Sequence, residues 1–349
     1  MKNIINPKYR QHKPNEEIYT SAGGFAIYFW GAESYNEEKT EVHIMKKLLI
    51  HPEELSREWV DRLVQQGVEI VGMHPVGGNN AEASAKRLMQ QVEDPEFRAL
   101  VDYAYEKGLQ VEYELHAASF LLPRSLFDTH PEYFRLEKGE RTALCNFCVT
   151  NPEALEILTD NAVELAKKLY RSRPYYYFWL DDTRVKHCAC PECSKLTLSD
   201  QQMLVMNAMV KKLRAAIPGA KLCFLAYHGT EKAPVQLTPE EGIFLEYAPM
   251  SRDFSAPASA VSQESKDNIA KLMEIFGKED ATVLEYWYDN SMFSKWTKPP
   301  KAFTPRNDLI PGDLRWYESL GFAHIASFAC YLGEDYVNLH GQPDISAFR

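Results

Sequence analysis

Two acidic residues, Asp181 and Asp182, stand side by side after the apolar run 175–180. Adjacent carboxylates repel, so one holds its proton longer while the other stays ionised, a split that suits one general acid and one charge-stabilising group. Side chains alternate along a strand, so both reach one site only if the chain curls at Asp182. Further carboxylates, Glu246, Glu285 and Asp289, lie within or just after other apolar runs, and His74, His116 and His228 end three more. A buried carboxylate costs several kcal/mol unless it is paired or hydrogen-bonded, so a core does not collect this many without use. Aromatic residues accompany them: Trp30, Trp179, Tyr227, Tyr247, Tyr286, Trp287, Tyr288, Trp296 and Tyr331. A ligand with C–H faces and many hydroxyls, a sugar, stacks on such rings and bonds to carboxylates and imidazoles.

On this pattern Asp182 is expected to be the general acid and Glu285 the second carboxylate. Asp181, Glu246, His116 and His228 are expected to orient hydroxyls, with His74, Tyr247, Trp287, Asp289 and Tyr331 completing the binding set. Each has a structural alternative: hydrogen-bonded strand-end histidines, a helix-capping Asp beside a buried one, and aromatics that only fill the core. Glu112 is expected to face solvent or a helix, while Glu114 is open.

The cysteines form a separate constellation. Seven are present, and Cys145, Cys148, Cys188, Cys190 and Cys193 fall in two tight groups, Cys145-x-x-Cys148 and Cys188-x-Cys190-x-x-Cys193. Thiolates at these spacings chelate zinc, and four of the five complete a tetrahedron; His187 is a further candidate. A structural zinc ion is therefore expected, with reduced thiols as the alternative, and no organic cofactor. Cys223 and Cys330 lie inside apolar runs and read as small core residues.

Eight short apolar runs have the character of buried parallel strands: 25–30, 68–74, 109–116, 175–182, 220–228, 242–248, 281–289 and 322–332. Helical stretches with capping residues at their starts and Gly67, Gly108, Gly219 and Gly277 at their ends separate many of them. The pattern predicts an α/β protein, a single-domain (β/α)8 barrel over 25–349 preceded by an extension at 1–24. Two intervals depart from the repeat: an insertion at 117–149 after strand 3, and a connection between strands 5 and 6 too short for a full helix. The competing doubly wound sheet is disfavoured because no Gly-rich phosphate loop follows the first run. In such a barrel the strand C-termini carry function, and there the polar residues fall.

The net charge of −10 and pI near 5.6 argue against a nucleic-acid or anionic-membrane partner. No apolar run spans a bilayer. The first 24 residues lack an apolar signal core, and the odd, clustered cysteines suit a reducing compartment, so a cytoplasmic location is expected. A secreted protein shorn of its leader stays open.

The segments Leu122-Pro123-Arg124, His130-Pro131-Glu132-Tyr133-Phe134, Asn151-Pro152-Glu153, Asp182 and Cys188-x-Cys190-x-x-Cys193, followed by Ala226-Tyr227-His228 and Glu246-Tyr247-Ala248, resemble in order an uncharacterised bacterial family. That family is a domain of unknown function grouped with the TIM-barrel glycoside hydrolases. The resemblance covers about residues 25–335 and implies a (β/α)8 barrel and a link to carbohydrate, without supplying a reaction. Asp181-Asp182 is also similar to the acidic pair of β-hexosaminidases and O-GlcNAcases. There one acid orients the substrate's 2-acetamido group as nucleophile and the other is general acid/base; carried over, Asp181 orients and Asp182 protonates. The His and double Gly that precede the pair in those enzymes are missing here, so a uronic-acid glycosidase stays open. The expected activity is glycoside hydrolysis by paired carboxylates. The alternatives are a catalytically inert carbohydrate-binding barrel, and a metal-dependent isomerase or lyase built on His74, His116, His228 and Glu246.

Overall fold

The computed structural model describes residues 43–182 and 187–349. Eight parallel strands close into a barrel: β1 Met45–Ile50, β2 Ile70–Met73, β3 Gln110–His116, β4 Tyr175–Trp179, β5 Lys221–Ala226, β6 Ile243–Tyr247, β7 Thr282–Glu285 and β8 His324–Phe328. Strand β1 seals the ring, pairing Lys47 with Ile70 of β2 on one side and with Ala326 of β8 on the other. Helices Arg57–Gln65, Ala81–Gln91, Pro95–Glu106, Pro152–Lys168, Leu198–Ala216, Gln263–Phe276 and Ile310–Leu320 lie in the connections. Among the described residues no helix is long and apolar enough to cross a membrane.

The expected (β/α)8 fold is present, with one change of membership. The run 25–30 lies outside the described residues, and the strand that closes the barrel is Met45–Ile50. Lys46 and Lys47 interrupt its apolar character, so the sequence does not advertise it. The later runs overshoot their strands, because the chain stays apolar where it turns over the barrel mouth; the run 281–289 pairs only over Thr282–Glu285. The insertion after β3 holds the short helix Ala118–Leu121 and a small hairpin, Leu136–Glu137 with Glu140–Arg141. The short β5–β6 connection is held by Asp200, which caps three successive amides, Val235, Gln236 and Leu237, at 2.9–3.1 Å through Oδ1.

Alternation along the strands divides the apolar side chains into two layers. Leu49, Tyr177, Trp179, Cys223, Leu225, Phe244, Leu284, Ala326 and Phe328 fill the barrel interior, while a larger cluster packs strands against helices. Below the apolar interior sits a charged layer. Lys47 is fully buried, with Nζ in contact with Glu114, 3.2 Å from Glu112 and 3.5 Å from Glu246, and 4.1 Å from the ring centre of Tyr177. Arg173 reaches the other oxygen of Glu112 at 2.7 Å. Burial works against the charge of Lys47, but the three carboxylates outweigh it and hold its ammonium above the ordinary lysine range. Burial pushes Glu114 and Glu246 up, with Lys47 opposing. Neither Glu112 nor Glu246 meets the expectation set for it: both face the sealed interior, not solvent or a ligand.

Lys47→Met leaves three buried carboxylates without their shared cation, and breaking a buried ion cluster in this way costs about 3–5 kcal/mol. Carboxyls whose folded-state affinity for protons exceeds the unfolded one lose stability as pH rises. Urea unfolding should therefore show a deficit for Lys47→Met that is larger at pH 8 than at pH 5; an equal deficit at both contradicts the charged-layer account.

Candidate active site

All eight strand C-termini, or the residues just beyond them, converge on one cavity of about 600 Å³. Its lining includes His51, His74, His116, Asp182, Tyr227, Met250, Asp289 and Tyr331, one from each strand end in turn. Trp179, Leu225, Leu284 and Phe328, the top of the interior layer, belong to the same lining.

Three imidazoles are arranged as a staircase. His51 beyond β1 bonds through Nδ1 to the carbonyl of His74 (2.7 Å). His74 beyond β2 bonds to that of Glu114 (2.9 Å), and His116 ending β3 to that of Leu180 (2.7 Å). A carbonyl only accepts, so each Nδ1 donates, and in the neutral ring Nε2 is left as an acceptor. Burial, with His116 and His51 beside it, drives His74 well below the ordinary histidine range, so its ring is neutral. The rings lie about 6 Å apart, at 6.1 and 5.9 Å between centres. Together they present three Nε2 atoms, of which that of neutral His74 is an acceptor for a hydroxyl group. Gly77 permits this packing: a Cβ there would stand 2.7 Å from His116 Cδ2 and 3.6 Å from Asp182 Cβ.

The acidic pair is divided by the alternation of side chains. Asp181 is buried against the insertion, its carboxylate accepting from the Ser119 amide (3.0 Å), the Ser119 hydroxyl and the Asn146 amide (2.6 Å). Its own amide donates to Asn146 Oδ1 at 2.8 Å. Asp182 instead lines the cavity, half-buried, and accepts from the Tyr227 hydroxyl at 3.3 Å. The second cavity carboxylate is Asp289, which caps the short helix Asn290–Phe293. Its Oδ1 accepts from the Ser291 amide (3.0 Å) and hydroxyl (2.5 Å) and from the Met292 amide (3.3 Å). Burial raises its affinity for a proton above that of an ordinary aspartate, against the pull of these donors.

Several expected residues lie elsewhere. Leu284 points inward, so Glu285 points outward, where it pairs with Arg252 Nε at 2.9 Å and accepts from the Tyr317 hydroxyl at 2.5 Å. Trp287 donates to Asp313 at 3.1 Å beneath the helix Ile310–Leu320, and Tyr247 packs outside the barrel, 3.5 Å from Glu231. His228 sits on the turn after β5, its ring 4.0 Å from that of Tyr227, and is not part of the cavity lining. Of the aromatics, Trp179, Tyr227, Tyr286, Trp296 and Tyr331 reach the cavity; Trp287 and Tyr288 pack against Phe348, and Trp30 lies outside the described residues. Trp296 is 63% exposed and forms an open edge of the site.

His51 was not among the expected residues. Its signal was present: Ile50-His51-Pro52 repeats the Met73-His74-Pro75 pattern of an apolar run ending in His-Pro. Among the described residues, the group of ligand atoms close enough to share a metal is Cys148, Cys188, Cys190 and Cys193, not the cavity histidines. Cys145 and His187 stand outside that quartet.

Residues 79–336 match the family described as "Domain of unknown function (DUF4838)". No curated protein matches the sequence. Among solved structures, a β-galactosidase from Rahnella sp. R3 aligns with 83% of this chain and 51% of its own at 13% identity, with a TM-score of 0.50. An endo-β-1,4-glucanase from Bacillus licheniformis aligns over 82% and 55% at 11% identity (TM-score 0.49). An O-GlcNAc hydrolase from Thermobaculum terrenum aligns over 83% and 55% at 9% identity (TM-score 0.48). The chain spans about half the length of these structures.

Because Glu285 serves Arg252 and not the cavity, Glu285→Gln should cost about 3 kcal/mol in chemical unfolding, as expected when one partner of a buried ion pair is lost. A variant as stable as the wild type would contradict the pairing of Glu285 with Arg252.

Proposed function

The chain belongs to the DUF4838 family, and we propose that it is a glycoside hydrolase acting on a neutral sugar held in the barrel-mouth cavity. The observation that carries this reading is the cavity itself: two carboxylates, Asp182 and Asp289, share it with three imidazoles and an aromatic lining. A pyranose needs apolar surface for its C–H faces and acceptors for its hydroxyls, and both are supplied. Among the described residues of the lining there is no Lys or Arg, a composition that suits a neutral sugar. Asp181 is held by the insertion, which leaves an N-acetyl group without the acid that would orient it.

In this mechanism Asp182 is the general acid. It is half-buried, so its proton can be replaced from solvent after each turnover, and it is set in the wall by Tyr227. Asp289 is the second carboxylate, taking the role the sequence suggested for Glu285. Three donors on Oδ1 fix its orientation and leave Oδ2 for the sugar, so negative charge stands ready where positive charge develops in an oxocarbenium-like transition state. The histidine staircase and Tyr331 hold the ring in register. The inert-barrel alternative and the metal-dependent isomerase are outcomes of the tests; among the described residues, the group of ligand atoms close enough to share a metal is the cysteine quartet.

The first test is Asp182→Asn on a panel of glycosides. With poor leaving groups turnover should fall by about 10²–10⁴, and with activated aryl glycosides by less. Equal rates in wild type and variant contradict the assignment, and sugar binding without any hydrolysis favours the inert barrel. The second test is a pH profile. Asp289 must be ionised, and burial holds its proton to higher pH than an ordinary aspartate's, so kcat/KM should fall on the acid side above the usual aspartate range. Asp289→Asn should lose activity on both kinds of glycoside alike.

A further inference from the structure

We propose that Cys148, Cys188, Cys190 and Cys193 bind one zinc ion, and that this ion fixes the loop that sets the end of β4. The four sulfurs are buried, and all lie within 4.8 Å of one another. Cys148 Sγ is 3.7 Å from Cys190 Sγ and 3.9 Å from Cys193 Sγ. Four thiolates at about 2.3 Å from a tetrahedral zinc are separated by about 3.8 Å along each edge, the spacing of the Cys148–Cys190 and Cys148–Cys193 edges. An iron–sulfur cluster spreads its cysteines around several metal and sulfide atoms and needs them farther apart. Donors surround the sulfurs as they do around metal-bound thiolates: the Leu136 amide at 3.3 Å and Arg141 Nη1 at 3.8 Å from Cys188, the Cys193 amide at 3.5 Å from Cys190, and Thr150 Oγ1 at 3.2 Å from Cys193.

The quartet joins two pieces of chain. Cys148 closes the insertion after β3, and the other three follow β4. Two residues before Cys148, Asn146 grips Asp181 from both sides, through its amide and its side-chain oxygen. Cys145 and Asn146 both take left-handed backbone angles, φ 59° and 51°, which persist only where their surroundings enforce them. Arg124 and Arg135 hold this backbone by their bonds to the Asn146 (2.8 Å) and Cys145 (3.1 Å) carbonyls, and an ion on Cys148 anchors the next turn of the same loop, so that through Asn146 and Asp181 it positions Asp182. The zinc claim stands alone; its consequence for catalysis rests on the glycoside hydrolase reading.

The test starts from elemental analysis of the full chain purified without chelators. About one zinc per chain is expected, and cobalt exchange should give the charge-transfer and tetrahedral bands of a thiolate site. Less than about 0.2 metal per chain, iron in place of zinc, or disulfides among these cysteines overturns the proposal. Cys190→Ser should lose the ion, whereas Cys145→Ser should keep it; loss of metal from Cys145→Ser alone also overturns the quartet. Should Cys190→Ser fail to fold, stripping the wild type with an organomercurial and titrating the released zinc gives the same answer. For the positioning role, the stripped protein should keep its affinity for sugar, since the histidines come from β1 to β3, while kcat falls by about 10²-fold, the usual effect of an ångström of misplacement. Cobalt, added after an excess of small thiol has displaced the mercurial, should restore it. An unchanged kcat refutes the positioning role, and absence of any hydrolysis in the holoprotein refutes the hydrolase reading without touching the metal count.

Discussion

One buried ammonium organises the barrel. Lys47, on the strand that closes the ring, is fully enclosed and shared by Glu112, Glu114 and Glu246 from β3 and β6. A charge without water is tolerated only with partners in place, so the register of β1 between β2 and β8 is tied to this contact. The charged layer occupies the lower interior, and the aromatic and aliphatic layer of Trp179, Leu225, Leu284 and Phe328 closes above it. That upper layer is the floor of the cavity. The link between the layers is short: the carbonyl of Glu114, whose carboxylate meets Lys47, accepts the Nδ1–H of His74.

From this base the site follows by alternation. Along β4 and its continuation, Trp179 faces inward, Asp181 is taken by the insertion and Asp182 meets the cavity. Along β7, Leu284 faces inward and Glu285 is drawn into a pair with Arg252. The chain then turns, and Asp289 returns to the cavity as the cap of a short helix. Two carboxylates that look adjacent in sequence do different work, and the pair that shares the cavity comes from opposite parts of the chain.

Much of this is legible in the sequence, and the limits have physical causes. Buried parallel strands are nearly continuous apolar runs, so seven of the barrel strands stand out; β1 does not, because its Lys46 and Lys47 read as surface. Missing β1 also hid His51. The inward or outward aim of a strand-end residue depends on where the strand stops, and the apolar loops over the mouth blur that boundary. Hence Glu246, Glu285, Tyr247 and Trp287 share one sequence pattern with His74, His116, Asp182, Asp289 and Tyr331, although only the latter five line the cavity. The cysteine spacing carried more information, since chelation at two-residue intervals is local. What spacing alone left open was which four of five sulfurs converge.

In the proposed reaction a sugar occupies the mouth of the barrel between Asp182 and Asp289. Diffraction from crystals soaked in a mixture of neutral monosaccharides shows whether it does. A pyranose is expected within the cavity, stacked on its aromatic lining, with hydroxyls on the Nε2 atoms of His51, His74 and His116 and both carboxylates within reach of the anomeric centre. A sugar bound elsewhere on the barrel, or a metal ion held by the three histidines in its place, would contradict it.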